Sequence, residues 1–378
     1  MENFITEINI INVRHLKDIV INLREDKRTH LILTGKNGSG KTSVLEALKE
    51  YFALGFEKVK SGDQSNVYLM SFNNGYNGVN VKFKDLNELN KMVLQDDFII
   101  AYYRDERKFF APNETIIDKL NLKKTYTLNE KPGKDFVKYL LNLKATEAMA
   151  EKNGKPERAR EIFDWFQRFD SILKKIFNND NVRLQFDFET FKFQIEETNK
   201  QSFSFAELSS GYAAVLDIVT DLMMRMEKSH SKNYNVEGVV LIDEVDAHLH
   251  IELQRKILPF LTELFPNIQF IVSTHSPYIV TSISNAVIFD LEKKVQFNDM
   301  SGYAVDVVAE GYFDADNYSI KIKEMIKRFT ELHEKINVTD EERAERAGLR
   351  SKLEDVPGNL GLYIHSILEN VEWNGYNG

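Results

Sequence analysis

The sequence predicts an α/β fold with a mostly parallel sheet flanked by helices, and three observations support this expectation. Short apolar runs typical of buried strands recur toward both ends of the 378-residue chain. Segments with apolar residues at helical spacing follow several of these runs. One run ends in a glycine-rich loop directly before a helix, the place where parallel sheets bind ligands. A chain of this length can form one large domain or two ordinary ones.

The first hundred residues read as strands around one glycine-rich loop and one helix. Apolar and polar residues alternate over 5–13 and 19–23, and a short apolar run over 29–34 ends at Gly35. Helical spacing follows over 43–52, and strand-like segments return at 79–84 and 97–103. We therefore predict that residues 1–103 form the N-terminal lobe of a core domain.

The middle of the chain reads as helical and basic. From about 113 to 180, apolar residues recur at helical spacing, with a polar turn at 151–157 between two helices. Residues 104–160 contain 14 Lys and Arg against 9 Asp and Glu, although the whole chain has a net charge of -9. We therefore predict a basic helical insertion over 104–180 between the two halves of the core.

The C-terminal half returns to alternating strands and helices. Residues 182–197 alternate, which predicts a hairpin or one long half-buried strand. Helical spacing over 211–227 and 249–265 separates apolar strand-like runs at 238–243, 269–274 and 286–291. These elements predict a second core lobe over 181–295, followed by an acidic helical tail over 296–378. Because strands and helices alternate in both halves, most strands are expected to be parallel.

Composition excludes several classes of protein. The chain has no cysteine, so disulfides, thiolate catalysis and cysteine zinc sites are excluded. A pI near 5.6 excludes a globally basic nucleic-acid-binding protein but permits a local basic patch. No run of 18 apolar residues and no secretory signal are visible, so we expect a protein that does not enter a membrane. A cytoplasmic location fits these features.

The glycine-rich loop carries the first chemical motif. Residues 35–42 fit the pattern G-x-x-x-x-G-K-[ST] without a mismatch, between the predicted strand and helix that this motif requires. Its glycines allow backbone N–H groups to surround phosphates at a helix N-terminus. Lys41 is expected to reach the β- and γ-phosphates, and Thr42 to ligate Mg²⁺. The predicted ATP-binding residues here are Asn37, Gly38, Ser39, Gly40, Lys41, Thr42 and Ser43.

Two apolar strands in the C-terminal half end in polar residues that suit phosphate chemistry. Asp243 and Glu244 follow the run over 238–242, at the end of a strand where α/β folds bind ligands. Asp243 is the candidate for the Mg²⁺ shell, and Glu244 is the candidate general base for the attacking water. His275 follows the next strand and is a candidate sensor of the γ-phosphate.

A fourth motif lies directly before the long apolar helix that begins near residue 210. Ser209, Ser210 and Gly211 form a helix start that reads first as an N-cap. A helix N-terminus with small residues also binds phosphate. Because residues 35–42 already supply one phosphate cradle, a second one suggests a site that another subunit completes.

Taken together, these residues resemble the ABC-type ATPase head shared by SMC, Rad50 and RecF proteins. GKNGSGKTS stands at the Walker A motif, ELSSGY at the signature motif, VVLIDE at Walker B, VDAHLH at the D-loop and THS at the switch histidine. Within that class, DEVDAHLH and STHSPYIV look most like the OLD-type branch. SSGYAAVLDIV and EGYFDADNYS look like the ATPases of Septu-like and retron-associated anti-phage defence operons. The resemblance implies a P-loop NTPase with a mixed sheet that binds ATP and Mg²⁺ and dimerises, or forms a higher homo-oligomer, around ATP.

The sequence departs from the resemblance at two places. Tyr212 replaces the usual glutamine or glutamate of the signature motif, and Gln64 stands in a poor context for the Q-loop glutamine. OLD nucleases also carry a C-terminal TOPRIM domain, which Glu310, Asp314 and Asp316 imitate superficially. These residues lie too close together for that domain, so we interpret them as a helix-capping turn. The resemblance then implies that any nuclease, such as an HNH or TOPRIM protein, is encoded separately.

The basic insertion permits two interpretations, a nucleic-acid surface or a lid that packs on the dimer mate or on a partner protein. The nucleic-acid interpretation places these residues together: Arg104, Arg107, Lys108, Lys123 and Lys124 beside Tyr102, Tyr103, Phe109 and Phe110. For function, the leading hypothesis is a dimeric ATPase that controls an effector in anti-phage defence. The alternative is a RecF-like or SMC-like DNA-repair or chromosome-maintenance ATPase that acts on DNA itself. A transporter ATPase subunit is the third and least supported hypothesis.

Overall fold

The computed structural model describes residues 2–61, 78–111, 120–197, 201–228, 234–313, 320–335 and 337–354. The chain forms two compact units, Met1–Val305 and Asp306–Gly378. The strands, numbered in chain order, are β1 (Ile5–Val13), β2 (Leu16–Asn22), β3 (His30–Thr34), β4 (Val79–Phe83), β5 (Phe98–Tyr103), β6 (Val182–Asp187), β7 (Lys192–Glu197), β8 (Phe203–Ser204), β9 (Glu237–Ile242), β10 (Ile268–Ser273), β11 (Ala286–Asp290) and β12 (Val295–Asn298).

The helices lie between and after these strands. They are α1 (Lys41–Ser61), α2 (Leu86–Leu94), α3 (Phe136–Lys152), α4 (Pro156–Phe177), α5 (Ser210–Met226), α6 (Ile251–Leu264), α7 (Pro277–Val280), α8 (Val305–Gly311), α9 (Ile320–Glu334) and α10 (Asp340–Glu354). The predicted α/β class, with a mixed sheet flanked by helices, a helical insertion and a helical C-terminal region, is confirmed.

A central six-stranded sheet organises the first unit. Its strand order is β12-β11-β3-β10-β9-β5, and every neighbouring pair is parallel except β11 and β12. Every residue of β3 and β10 is buried, as expected for parallel strands covered on both faces. Because β3, β10 and β9 are adjacent and parallel, the loops that follow them meet at one edge of the sheet. This arrangement positions the candidate site.

A second, antiparallel sheet of order β2-β1-β4 shares its hydrophobic core with α1 and the central sheet. Alternating isoleucines of β1 face this core, as the sequence pattern predicts. The buried Gln269 of β10 accepts a hydrogen bond from the N–H of Ile5 at 2.7 Å and donates to its carbonyl at 3.1 Å. This fully paired amide fixes the antiparallel sheet to the central one.

The predicted insertion over 104–180 contains α3 and α4, and α4 packs on the small sheet of β6, β7 and β8, which the sequence had placed in the second lobe. Its interior is aromatic: the rings of Trp165 and Phe169 stack with centroids 5.6 Å apart, and Phe136 packs beside both. The alternating segment 182–197 folds as a hairpin of β6 and β7. The helical pattern expected from about residue 113 is wrong for 120–131, which form no helix. Residues 112–119 lie outside the described part of the chain.

The second unit contains α9 and α10, which pack together around Phe329 and Leu353. An ion pair between Arg328 and Glu345 at 2.9 Å also joins these two helices. The positions of Asp314 and Asp316, discussed above, lie outside the described residues, as does Gln64. Within the described part of the chain, none of the helices has the length and apolar character needed to cross a membrane.

Candidate functional site

The loop after β3 requires glycine at its turns. Gly35, Gly38 and Gly40 have φ values of 128°, 83° and 101°, a region that side chains with a Cβ rarely adopt. A Cβ at Gly35 would lie 2.7 Å from Oγ of Ser39, and one at Gly40 would lie 2.8 Å from Leu16. The pattern of glycines in the sequence therefore has a direct conformational cause.

Two polar groups are held inside this loop. Lys41, the first residue of α1, is only 6% exposed, and its Nζ donates to the carbonyls of Gly35 at 2.8 Å and Lys36 at 3.2 Å. Burial lowers the pKa of Lys41, while the carboxylates of Glu244 and Asp243 oppose this shift. The hydroxyl of Ser39 is buried without a hydrogen-bond partner. A buried cation and an unsatisfied hydroxyl at a helix N-terminus suit a polyanion such as a triphosphate.

The rim of the loop is open to solvent. Asn37, Gly38 and Thr42 are exposed, and Ser43 is half-buried. The predicted residues of this motif thus divide into a buried floor, formed by Ser39 and Lys41, and an accessible rim.

Asp243 and Glu244 follow β9 directly and are fixed by a residue that the sequence analysis missed. Ser273, at the end of β10, donates its hydroxyl hydrogen to Oδ1 of Asp243 at 2.5 Å. The same hydroxyl oxygen accepts the N–H of Glu244 at 2.7 Å. In the sequence, only one feature pointed to Ser273: it ends β10, and the neighbouring strand β9 is followed by two carboxylates.

The backbone at Glu244 is strained. Its φ of 46° lies in the left-handed region, which is uncommon for a residue with a long side chain. Such conformations persist where the surrounding structure holds them, and they concentrate at functional sites. Burial raises the pKa of Glu244, and the neighbouring charges of Asp243 and Asp105 raise it further, whereas Lys41 lowers it. Lys41 and Glu244 therefore belong to one electrostatic cluster.

His275 follows β10 and joins the same cluster. The preceding Thr274 donates its N–H to the carbonyl of Leu33 in β3 at 3.1 Å and its hydroxyl to the carboxylate of Asp246. These bonds fix His275 beside the loop that follows β3. Burial lowers the pKa of His275, and Lys41 lowers it further, whereas Asp246 and Asp243 oppose the shift, so the site favours the neutral imidazole. The structure thus brings Lys41, Glu244 and His275 together at one edge of the sheet.

The start of α5 is different in character. Ser209 and Ser210 are exposed, and the side chain of Ser209 makes no capping hydrogen bond although it occupies the N-cap position. A Cβ at Gly211 would lie 3.0 Å from the carbonyl oxygen of His248, so the helix start packs closely on the turn after Glu244. The residue after it, Tyr212, stacks on Phe177 of α4 with ring centroids 4.4 Å apart.

The body of α5 lies on the β5 side of the central sheet, and its first residues pack on the turn after Glu244. Helix α5 packs against β5, and β9 and β10 separate β5 from β3 in the sheet. At about 4.8 Å between strands, that separation is roughly 14 Å. The stacking of Tyr212 on Phe177 also explains the departure from the signature motif, because this aromatic residue anchors the helical insertion.

The predicted nucleic-acid patch is wrong in three of its members. Tyr102, Tyr103 and Arg107 are buried, with Arg107 only 3% exposed, so they cannot contact nucleic acid from the surface. Three of the four exposed basic members are paired with carboxylates: Arg104 with Glu46, Lys123 with Glu130, and Lys124 with Asp97, while Lys108 is exposed as well.

The sheet order, the loop between β3 and α1, and the carboxylates after β9 define a P-loop NTPase. The family model described as "AAA domain, putative AbiEii toxin, Type IV TA system" matches residues 31–281 of this chain, about two thirds of its length. The chain belongs to this family.

The chain is also similar to two curated proteins. It is 25% identical to the Septu protein PtuA of Bacillus mycoides (strain KBAB4) over 395 residues, which covers 93% of this chain and 50% of that protein. It is 22% identical to the Retron Ec83 probable ATPase of Escherichia coli over 397 residues, covering 79% of this chain and 73% of that protein. The chain thus spans half the length of the Bacillus mycoides relative. The predicted resemblance to Septu and retron ATPases is confirmed.

Among solved structures, an SMC head bound to the C-winged helix domain of ScpA matches 76% of this chain and 93% of its own chain, with 15% identity. The TM-score is 0.40. That score is too low to define the fold, which rests on the sheet order and on the family match.

Proposed function

We propose that this protein is an ATPase that works as a dimer, or as a higher homo-oligomer, and binds ATP between two subunits. The observation that carries the proposal is the convergence of three loops at one edge of the sheet. These loops supply a buried cation at Lys41, the carboxylates of Asp243 and Glu244, and a neutral imidazole at His275. Phosphoryl transfer needs little more from a protein than positioning and charge stabilisation.

The glycine-rich loop would hold the triphosphate. The carbonyls of Gly35 and Lys36 keep the amine of Lys41 inside the loop. From this position the amine can turn to the phosphate oxygens of a bound triphosphate. The buried hydroxyl of Ser39 would gain the partner that it lacks. Ser39 would gain a charge-assisted hydrogen bond, which is roughly twice as strong as a neutral one, and the ammonium of Lys41 would exchange neutral carbonyl acceptors for charged phosphate oxygens.

Thr42 and Asp243 are the residues that would hold Mg²⁺. Within the described residues, no cluster of three His, Asp or Glu side chains could bind a metal alone. This suits Mg²⁺, which commonly uses one or two protein oxygens together with substrate phosphates. When bound there, the ion would neutralise charge on the phosphate oxygens.

Glu244 would act as general base and His275 as a hydrogen-bonding partner of the γ-phosphate. Ser273 fixes the N–H of Glu244, so the start of its side chain is held in place. Its raised pKa makes it a better proton acceptor than an exposed glutamate. The neutral imidazole of His275 can donate one N–H without adding a charge.

The start of α5, where Ser209 and Ser210 are exposed and Gly211 is buried, supports the dimer. Its exposed side chains are small, Ser209 makes no capping hydrogen bond, and helix α5 as a whole packs near β5 rather than beside β3. A triphosphate held by residues 35–42 would therefore meet this helix start from a second chain. Each dimer would contain two such shared sites.

We further propose that the ATPase regulates a separately encoded effector, such as an HNH or TOPRIM nuclease, in anti-phage defence. The support is the similarity to the Septu protein PtuA and to the retron ATPase. The alternative, direct action on DNA like RecF or SMC proteins, is less supported because three residues of the predicted basic patch are buried. Purification of the intact operon, with mass spectrometry of co-eluting proteins and nucleic acid, separates the two. A co-eluting nuclease supports the first, and DNA without a protein partner supports the second.

The ATPase itself is tested by replacing Glu244 with glutamine. We expect Glu244→Gln to bind ATP as the wild type does and to hydrolyse it about 10²- to 10⁴-fold more slowly, because the amide cannot accept the proton. The variant should accumulate as a dimer in the presence of ATP and Mg²⁺, measured by light scattering. Glu252→Gln, which changes an exposed glutamate of α6, is the matched control and should keep full turnover. Full turnover in Glu244→Gln would contradict the assignment of the base.

A further inference from the structure

The buried guanidinium of Arg107 contacts main-chain carbonyls from two segments of the site. Its Nη1 donates to the carbonyls of Arg104 at 2.9 Å and Asp243 at 2.8 Å. Its Nη2 donates to the carbonyls of Glu244 at 2.9 Å, Ala247 at 3.3 Å and Val245 at 3.4 Å. Four of these five carbonyls belong to the Walker B turn, defined here as residues 243–248.

The Walker B turn depends on such a donor. Glu244 has a left-handed φ, and the backbone around it points the carbonyls of Asp243, Glu244 and Val245 toward the guanidinium of Arg107. Carbonyl oxygens that converge repel one another and are costly to bury without donors. A planar guanidinium presents five N–H groups in a fixed fork, so it can satisfy several of them at once.

Within the described part of the chain, no carboxylate bonds directly to the charged group of Arg107. Its five hydrogen bonds all go to main-chain carbonyls, and its Nε is buried without a partner. Burial lowers the pKa of Arg107, and the negative charges of Asp217 and Asp246 oppose this shift. An arginine remains protonated in such surroundings. The Walker B turn therefore orients the guanidinium of Arg107, and the guanidinium in turn fixes the backbone of the turn.

We propose that Arg107 is a positioning residue for ATP hydrolysis, and that its guanidinium fixes the backbone of the Walker B turn from which Glu244 projects. The proposal rests on the function proposed above for Glu244. It assigns a role to a residue that the sequence pattern had placed in a surface patch. Arg107 itself lies behind the turn and would not contact ATP.

Arg107→Lys tests the proposal with the charge retained. A lysine has three donors at one point, so it cannot reproduce contacts from two nitrogens to five carbonyls. We expect kcat to fall about 10- to 100-fold, because a displacement near 1 Å at a reacting group costs that much. We expect KM for ATP to stay within about threefold of the wild type, since the glycine-rich loop is untouched.

Arg28→Lys is the matched control. Arg28 is also buried, donates to the carbonyl of Pro266 at 2.9 Å and lies 3.6 Å from a carboxylate oxygen of Glu237. These partners lie at the amino ends of β9 and β10, the opposite edge of the sheet from Glu244. We expect Arg28→Lys to lose stability without a specific loss of kcat. A kcat within about twofold of the wild type in folded Arg107→Lys would overturn the proposal.

A chemical rescue separates positioning from general damage. In Arg107→Ala, added guanidinium at tens of millimolar should restore part of the lost kcat, whereas sodium at equal ionic strength should not. These concentrations are well below those that unfold proteins. Absence of rescue in a folded Arg107→Ala protein counts against the proposal. If Arg107→Ala does not fold, the exchange measurement on Arg107→Lys described next decides.

Hydrogen exchange measures the turn without reference to activity. We expect peptides that cover 243–249 to exchange faster in Arg107→Lys than in the wild type, and peptides from α1 to be unchanged. Equal exchange at 243–249 would overturn the proposal. If Glu244→Gln keeps full turnover while exchange at 243–249 rises in Arg107→Lys, then the proposed base is wrong, but the positioning of the turn by Arg107 stands.

Discussion

The two ends of the candidate site differ in how completely one chain builds them. At the edge formed by β3, β9 and β10, polar groups are buried and fixed by one another, as Ser273 fixes both Asp243 and Glu244. At the start of α5, Ser209 and Ser210 are exposed, and Ser209 makes no capping hydrogen bond. The first region is organised before any ligand binds, whereas the second is accessible and incomplete.

Under the proposed dimeric mechanism, this difference would let a single chain bind ATP and require a second copy for hydrolysis. Preorganised charges act efficiently only where water is excluded and the geometry is fixed. The edge of the sheet provides fixed geometry through the left-handed Glu244 and the buried Lys41. The start of α5 from the second subunit would exclude water from the site.

Lys41→Ala should have the largest effect and should remove ATP binding altogether. Loss of the buried cation removes a charge-assisted contact worth about 1.5–3 kcal/mol and leaves the carboxylates of Asp243 and Glu244 uncompensated beside a polyanion. Binding of a fluorescent ATP analogue measures this effect. The control is Lys36→Ala in the same loop, whose exposed amine pairs with Glu292 at 3.3 Å. Wild-type affinity in Lys41→Ala would contradict the assignment of this loop.

Ser209→Arg should leave ATP binding to the monomer intact and should abolish the dimer that forms with ATP. The long side chain would occupy the space that the opposing phosphate and loop require. Sedimentation velocity with and without ATP and Mg²⁺ gives the result. Ser171→Arg, at an exposed position of α4, introduces the same charge elsewhere and should dimerise normally. A dimer of normal stability in Ser209→Arg would show that this helix start is not part of the interface.

A change in the pH dependence of turnover should be the smallest effect. It should depend only on the groups at the edge formed by β3, β9 and β10. Burial and Asp243 raise the pKa of Glu244, so the base becomes protonated, and inactive, at a higher pH than an exposed glutamate near 4.3 would. Asp105→Asn removes one exposed charge that contributes to this rise. We therefore expect the acid limb of kcat to move to lower pH in Asp105→Asn, by less than about one unit. A shift in the opposite direction would contradict the assignment.

The local motifs were predictable from the sequence because each has a short-range cause. Glycines at 35, 38 and 40 mark positive φ angles, and an apolar run ending in two acids marks a buried parallel strand. The two helices of the insertion and the hairpin of β6 and β7 follow from their apolar periods. The site roles of these residues stay predictions until the variants are measured.

Long-range contacts were not predictable in the same way. The alternation in β1 and β2 indicates strands but not that they form a separate antiparallel sheet with β4. Arg107 is one of several basic residues between 104 and 124, and its charge says nothing about burial. Only the return of the chain along β9 and β10 brings four carbonyls of residues 243–247 to its guanidinium. The contacts of Ser273 were missed for the same reason, since its partners Asp243 and Glu244 follow a different strand, β9.

The measurement that tests the shared site most directly is ATP hydrolysis in a mixture of Lys41→Ala and Ser209→Arg. Each variant alone should be inactive, because every shared site that two of its chains could form carries a lesion. In the heterodimer, one site combines both lesions and the other has none, so turnover should return to at most about half of the wild-type value per dimer. If the mixture shows no more activity than the sum of its two components, ATP is not shared between chains, and the dimeric mechanism is contradicted.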